Sequence, residues 1–298
     1  MTPHLSPDLF SDVDQMLAYP FMVNALGAGT IVAVMAALVG WLMVLRRQSF
    51  AGHTLSAMSF PGAAGAALLG VAPALGYYTF CLAGAVAIAA VSGRRAWGAY
   101  ARESAAIGVV QAFALALGFL FLSLYEGVLE GLETLLFGSF LGISRGEVLT
   151  LLLVAVAVLA ALAALGRPLL FVSIDEPVAR AAGVPAGALS LAFLLVLGLA
   201  VAATAQITGA LLVFALLVAP AAAARALTCR IGLGLALSVA LALLVTWVGL
   251  GLSFFTNRPV GFFITTLAFA VFALARAARA ARTLSARRGR HRPAAVLG

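Results

Sequence analysis

The strongest constraint on this chain is its series of long apolar stretches, each about as long as a lipid bilayer's hydrocarbon core is thick. A helix crosses that core with about 20 mostly apolar residues. Nine stretches qualify: 21–45, 54–72, 74–92, 104–125, 148–166, 187–205, 207–227, 231–254 and 259–277. Of the 298 residues, 64% are hydrophobic and only 9% charged, and the mean hydropathy is +1.15. A water-soluble domain carries about 25% charged residues. Backbone polar groups in lipid need partners within their own segment, which makes such runs helical. The chain therefore reads as an all-α, polytopic integral membrane protein. Two of the hairpins are tight, one broken only around Pro73 and the other by little more than Gln206. Either pair could be partly re-entrant, so eight spans remain an alternative to nine.

The charges test that count. All 18 basic residues are arginine. With the N-terminus outside and nine crossings, 16 of them fall in inner loops, inner span ends and the C-terminal tail, while Arg145 and Arg258 fall outside. Asp8, Asp12, Asp14, Glu126, Glu130 and Glu133 also fall outside. Basic residues collect on the cytoplasmic side of membrane proteins, so this division predicts N-out, C-in. An even number of crossings would misplace either the tail or the Arg46-Arg47 pair. The expected organisation is an extracytoplasmic segment 1–20, a transmembrane domain 21–277 and a basic cytoplasmic tail 278–298. Residues 1–20 lack the basic head and apolar run of a cleavable signal peptide. The net charge of +8 reads as orientation within a membrane, not as a nucleic-acid footprint. The arginines of 276–292 are suited to anionic lipid, at ~1 kcal/mol per charge. Cys81 and Cys229 are too few and too separated for a disulfide framework or zinc cluster.

Small residues recur within the spans: ALGAGT in the first, PGAAGAALLG in the second and APAAAARA in the seventh. They permit close helix packing where lipid supplies no hydrophobic drive for association. Pro61, with Gly62 beside it, and Pro220 predict kinks of the kind that line transport paths. Between spans, 126–147 is too long for a turn and too polar for a span, and predicts a partly re-entrant or interfacial segment on the outer side. In 167–186, Ser173-Ile174-Asp175-Glu176 brings a cap residue and acidic groups, Pro177 fits a first turn, and Gly183 and Pro185 stop the run. A short cytoplasmic helix over about 175–182 is expected, serving as a surface helix held by Val178 or as a docking element. No GxxxxGK[ST] phosphate loop is present and the chain has no lysine to complete one, so ATP-driven transport would need a motor on another chain.

Five stretches in order resemble the permease subunit of zinc/manganese-type ATP-binding cassette importers: FMVNALGAGTIVAVMAALVGWLMVLRRQSFAGHTLS, FGSFLGIS, SIDEPVARAAGVP, ITGALLVFALLVAPAAAARAL and FFTNRPVGFFITTLAFAVFAL. Each is loose alone; together they are specific and cover about residues 20–277. The resemblance implies a homodimer of helical subunits in a prokaryotic inner or plasma membrane, distantly akin to cobalamin and siderophore importers. It also implies two ATPase subunits below, acting on ATP, and an extracytoplasmic metal-binding protein above. The stretch 173–185 is similar to the family's coupling helix, which implies an ATPase interface at Asp175, Glu176, Ala179, Arg180 and Gly183.

One motif departs from the family. Its second span usually opens GDALSHAxLPG, with a carboxylate and a histidine four apart on one helical face, able to share a divalent ion. Here the stretch is GHTLSAMSFPG: His53 stands at the carboxylate position and Ala57 at the histidine position. Three readings stay open: His53 is a transit ligand, alone or with its dimer mate; it is a neutral, hydrogen-bonded side chain in a span that handles something else; or it lies too near the inner surface to matter. Ser56, three residues on, is a weaker candidate ligand. His4 and His291 lie on the termini. Loss of the carboxylate argues against manganese and makes zinc the expected cargo.

Rival classes are a secondary transporter driven by an ion gradient, a channel, and a permease for a metal chelate such as a siderophore. Gradient coupling usually needs buried acidic residues, whereas all ten here fall in termini, loops or span edges. No charge ring or filter-like loop suggests a channel. Siderophore and cobalamin permeases usually have an additional first span and a longer chain.

Overall fold

The computed structural model describes residues 9–92, 100–125, 138, 142–256 and 258–290. Among them lie eleven helices and no strand. They are α1 (Leu9–Leu17), α2 (Pro20–Leu45), α3 (Ser49–Leu68), α4 (Pro73–Ser92), α5 (Tyr100–Leu124), α6 (Arg145–Ile174), α7 (Glu176–Ala181), α8 (Ala186–Thr208), α9 (Ala210–Leu227), α10 (Ile231–Thr256) and α11 (Val260–Arg290). Each of the nine expected spans coincides with one of the long helices. Among the described residues, seven of these are long and apolar enough to cross a membrane. The other two are α9, with 18 residues, and α3, which carries His53, Thr54, Ser56 and Ser59. α3 can be less apolar because α4, α5, α8 and α9 wrap it.

α2 forms the mast of the bundle and packs against α6, α8, α9 and α10. Its partner α10 runs antiparallel. Ser238 Oγ donates to the Ala37 carbonyl at 3.2 Å, Trp247 Nε1 donates to Thr30 Oγ1 at 3.0 Å, and the rings of Tyr19 and Phe21 meet Phe254. Close contacts set the spacing elsewhere. A Cβ on Gly62 would lie 2.2 Å from the Gly76 carbonyl oxygen, one on Gly76 1.9 Å from the Gly62 oxygen, and one on Gly40 2.0 Å from the Leu217 oxygen. Backbones touch at these crossings, so only glycine fits.

Several boundaries differ from expectation, each for a local reason. α3 begins at Ser49 instead of 54, which puts His53 inside the helix, in its second turn. α6 does not stop at 166 but continues through Pro168 to Ile174. A proline removes a single backbone donor, and the apolar residues that follow, with Leu169 and Val172 buried, keep the helix packed. The break between α8 and α9 falls at Gly209 instead of Gln206. Gly209 has φ 74°, a conformation that suits glycine, and its N–H closes α8 on the Ala205 carbonyl at 2.9 Å. The basic stretch after 277 continues α11 to Arg290. Of the expected re-entrant segment 126–147, residues 126–137 and 139–141 lie outside the described residues. Its end is a capping box: Ser144 Oγ accepts from the Glu147 N–H at 3.3 Å, and the Glu147 carboxylate accepts from the Ser144 N–H at 2.8 Å, which starts α6.

The arginines divide between the ends of the bundle. Arg46 at the end of α2 reaches Ser173 near the end of α6 and Ser190 near the start of α8. Arg225, near the end of α9, lies over the Trp41 ring at 5.9 Å. Arg180 on α7 shares this end. Arg145 and Arg258 mark the other: Asn24, near the start of α2, donates to the Ile143 carbonyl at 3.0 Å, and Ser253 near the end of α10 donates to the Arg258 carbonyl at 2.6 Å.

The glycine crossings predict a contrast. Gly62→Ala should destabilise the bundle by about 1–3 kcal/mol, as overpacking does, and lower the midpoint of thermal unfolding in detergent. Gly166→Ala, where the added methyl meets nothing within 4 Å, should leave the midpoint unchanged or raise it. Equal midpoints for the two variants would contradict the contact at Gly76.

Candidate functional site

Two surfaces carry the residues that the sequence singles out. The first surrounds His53. Its neighbours Gly52, Thr54, Leu55 and Ser56 are all buried, while His53 itself is exposed. Gly52 backs onto Met43 of α2, and Thr54 Oγ1 donates to Gln111 Oε1 of α5 at 3.0 Å. The imidazole faces away from these contacts. It meets Phe214 of α9 edge-on, with ring centroids 4.9 Å apart. Phe214 also lines a groove of about 270 Å³ between α9 and α11, with Val218, Ala219, Ala268, Phe269 and Phe272. Among the described residues no three His, Cys, Asp or Glu side chains gather closely enough to hold a metal ion. Within one chain, His53 is thus an imidazole beside an apolar surface.

The other residues expected to line a path stand elsewhere. Ser56 is 2% exposed, and its hydroxyl donates to the Ala210 carbonyl at the first residue of α9. It fastens α3 to α9 and is turned away from the imidazole's open side. Pro61 and Gly62 are buried in helix contacts. Gly62 is pressed against Gly76 of α4, and the Pro61 Cα lies beneath Gly118 of α5. Within this chain the pair serves the α3–α4–α5 packing. Pro220 is buried inside α9. Its missing N–H leaves the Leu216 carbonyl without its i+4 donor, next to the Val218 and Ala219 wall of the groove.

The second surface is α7. The cap is Asp175 and not Ser173, which lies in the last turn of α6: the Asp175 carboxylate accepts from the Val178 N–H at 3.1 Å, and Pro177 occupies the first turn. Gly183, at φ 81°, turns the chain away, and the Val184 N–H closes onto the Ala179 carbonyl at 3.0 Å. Ala179 is fully buried and anchors the helix, while Asp175, Val178 and Arg180 are exposed. Glu176 and Arg180 form an i,i+4 ion pair at 2.9 Å; such exposed pairs contribute about 0.3–0.5 kcal/mol. The result is a short capped helix displayed at the arginine-rich end, its five singled-out residues on one loop–helix–turn. Sequence reasoning took the Arg46-Arg47 pair for an orientation signal only. It missed that Arg46 joins the two helices flanking α7, since Ser173 and Ser190 lie 127 and 144 residues away from it.

A bundle of span-length helices, with no phosphate loop of its own and a short helix displayed at its basic end, has the form of the membrane-spanning part of a transporter powered by another subunit. The chain belongs to the ABC 3 transport family, which residues 18–279 match. It is 30% identical over 207 residues to the manganese transport system membrane protein MntC of Halalkalibacterium halodurans, covering 70% of each chain. It is 31% identical over 258 residues to the chelated iron transport system membrane protein YfeC of Yersinia pestis, covering 87% of this chain and 86% of that one. The fold superimposes on that of PsaBC from Streptococcus pneumoniae, solved in complex with Fab, with a TM-score of 0.78 and 26% identity over 90% of this chain and 95% of the other. The resemblance carried by the five motifs is borne out: this is a metal-transport permease of the ATP-binding cassette class.

The cap on α7 gives a local prediction. Asp175→Ala should cost the helix about 1 kcal/mol, which corresponds to roughly fivefold faster amide exchange at Val178. Unchanged exchange, measured by mass spectrometry in detergent, would show that the cap does not hold α7.

Proposed function

We propose that the chain is the permease subunit of an ATP-driven importer of divalent metal ions, with zinc as the leading cargo, working as a homodimer in the inner or plasma membrane of a prokaryote. The observation that carries this reading is α7: an exposed, capped helix at the arginine-rich end of a chain whose family is powered by separate ATPases. The arginine division supports N-out, C-in, with α7 on the cytoplasmic side. Two ATPase subunits would dock there through Asp175, Val178 and Arg180, with Ala179 and Gly183 holding the helix in shape. An extracytoplasmic metal-binding protein would deliver the ion at the opposite end. ATP binding would close the motor pair and tilt the bundles between outward-open and inward-open arrangements.

Relatives named for manganese and chelated-iron transport support a transition-metal cargo. The choice of zinc rests on His53, an imidazole with no carboxylate at its side: imidazole suits zinc, whereas manganese favours oxygen donors. A single weak ligand per copy would let an ion pass without trapping it. A second reading, import of a metal chelate, is favoured by the name of YfeC and by the lack of a clustered donor set among the described residues, because a chelated ion brings its own ligands. Gradient coupling is disfavoured, since among the described acidic side chains Asp14, Glu147 and Asp175 are exposed and Glu176 is paired on α7.

His53→Ala should reduce zinc uptake at least about tenfold, of the order reported for outer groups that support a metal ligand, while the protein still assembles in the membrane. Wild-type zinc uptake by the variant would exclude a transit role, and uptake of a chelate in preference to free ions would favour the second reading.

A further inference from the structure

The end of α2 is tied to both helices that hold α7. The Arg46 guanidinium donates through Nη1 to Ser173 Oγ at 3.1 Å and through Nη2 to Ser190 Oγ at 2.9 Å. Its Nε donates to Gln48 Oε1 at 3.1 Å, and its plane lies over the Phe193 ring, 5.1 Å from the centroid. Ser173 stands two residues before Asp175, the cap of α7. Ser190 stands in the second turn of α8, just after the turn that ends α7. The hydrogen-bond directions agree along the chain, because the Ser173 hydroxyl donates to the Leu169 carbonyl and so offers its lone pairs to the arginine. Gln48 is the residue before α3, and His53 follows it by five positions. One planar, multiply donating side chain thus holds the helix entering α7, the helix leaving it and the start of the helix bearing His53. Arginine suits this role: its fork of donors is rigid and always charged, where lysine would offer one mobile ammonium.

We infer that Arg46 is the positioning residue that carries displacement of α7 to α3, coupling the ATPase to the metal path. α7 packs chiefly against α6 and α8, whereas α3 packs against α4, α5, α8 and α9. The inference rests on the proposed function, in which α7 receives the motor's motion. Removing the guanidinium leaves the docking surface and the motor intact but lets α6 and α8 shift without moving the α2–α3 joint. Hydrolysis then proceeds with less transport per ATP, a signature that loss of assembly does not give.

The test uses the permease–ATPase complex in liposomes. Arg46→Gln should retain assembly and ATP hydrolysis, while zinc transported per ATP falls about fivefold or more, the lower range of coupling energies between sites. Arg47→Gln, which removes the neighbouring charge, should keep the wild-type ratio. The second readout needs no metal: in a Cys229→Ser background, spin labels at Phe50→Cys on α3 and Leu233→Cys on α10 should change separation when a non-hydrolysable ATP analogue binds, and Arg46→Gln should abolish that change. A wild-type ratio or a wild-type distance change in Arg46→Gln would overturn the inference. If Arg46→Gln fails to assemble, the Ser173→Ala, Ser190→Ala double variant decides: a lowered ratio supports coupling through Arg46, and a wild-type ratio overturns it. If the labels respond to nucleotide but no metal is carried, the metal reading fails while the coupling inference stands.

Discussion

Close backbone contact between helices is the interaction on which this bundle depends. In lipid, apolar side chains gain nothing by leaving one apolar surface for another, so packing and internal hydrogen bonds must hold the spans together. Here that contact is made where glycines remove side chains from the interface: Gly62 against Gly76 joins α3 to α4, and Gly40 against Leu217 joins α2 to α9. Threonines and serines close onto carbonyls a turn back or on a neighbouring helix, as Thr204 does to Ala200 and Ser238 to Ala37. The consequence is a closely packed set of helices with defined ends.

Most of the architecture was legible in the sequence because the bilayer imposes it. Nine apolar runs correspond to nine long helices, and α7 was legible from its proline and its glycine, although Asp175 caps it in place of Ser173, which α6 takes up. The errors are equally physical. α6 outran its predicted end because Pro168 costs one hydrogen bond while Leu169 and Val172 still bury their side chains. The α8–α9 break moved to Gly209 because only a glycine takes a positive φ cheaply. The chemistry near His53 was less legible. A spacing of three suggested that Ser56 helps the imidazole, but the hydroxyl found the Ala210 carbonyl. Pro61-Gly62 suggested a path, and within this chain the pair serves a helix crossing. Local spacing does not say which neighbour fills a face; tertiary packing does. Arg46 was the clearest omission, since its partners are remote in sequence.

The two candidate surfaces lie on opposite sides of one structural joint. α7 offers exposed residues held by a buried alanine, a geometry suited to receiving force without unfolding. His53 stands on α3, just past the bend that Arg46 and Gln48 fix, with its imidazole open beside Phe214 and the α9–α11 groove. Among the described residues no three potential metal ligands gather there. On the proposed function, a low-affinity path would fit an importer whose capture step belongs to a separate binding protein, because tight binding would slow release.

The most direct measurement is metal flux through the wild-type chain in sealed liposomes, alone and with its cognate ATPase, with zinc, manganese and iron compared under ATP and under an imposed proton gradient. This account predicts flux only when ATPase and ATP are both present, with zinc carried in preference to manganese. Flux through the chain alone, driven by the proton gradient and indifferent to ATP, would contradict it.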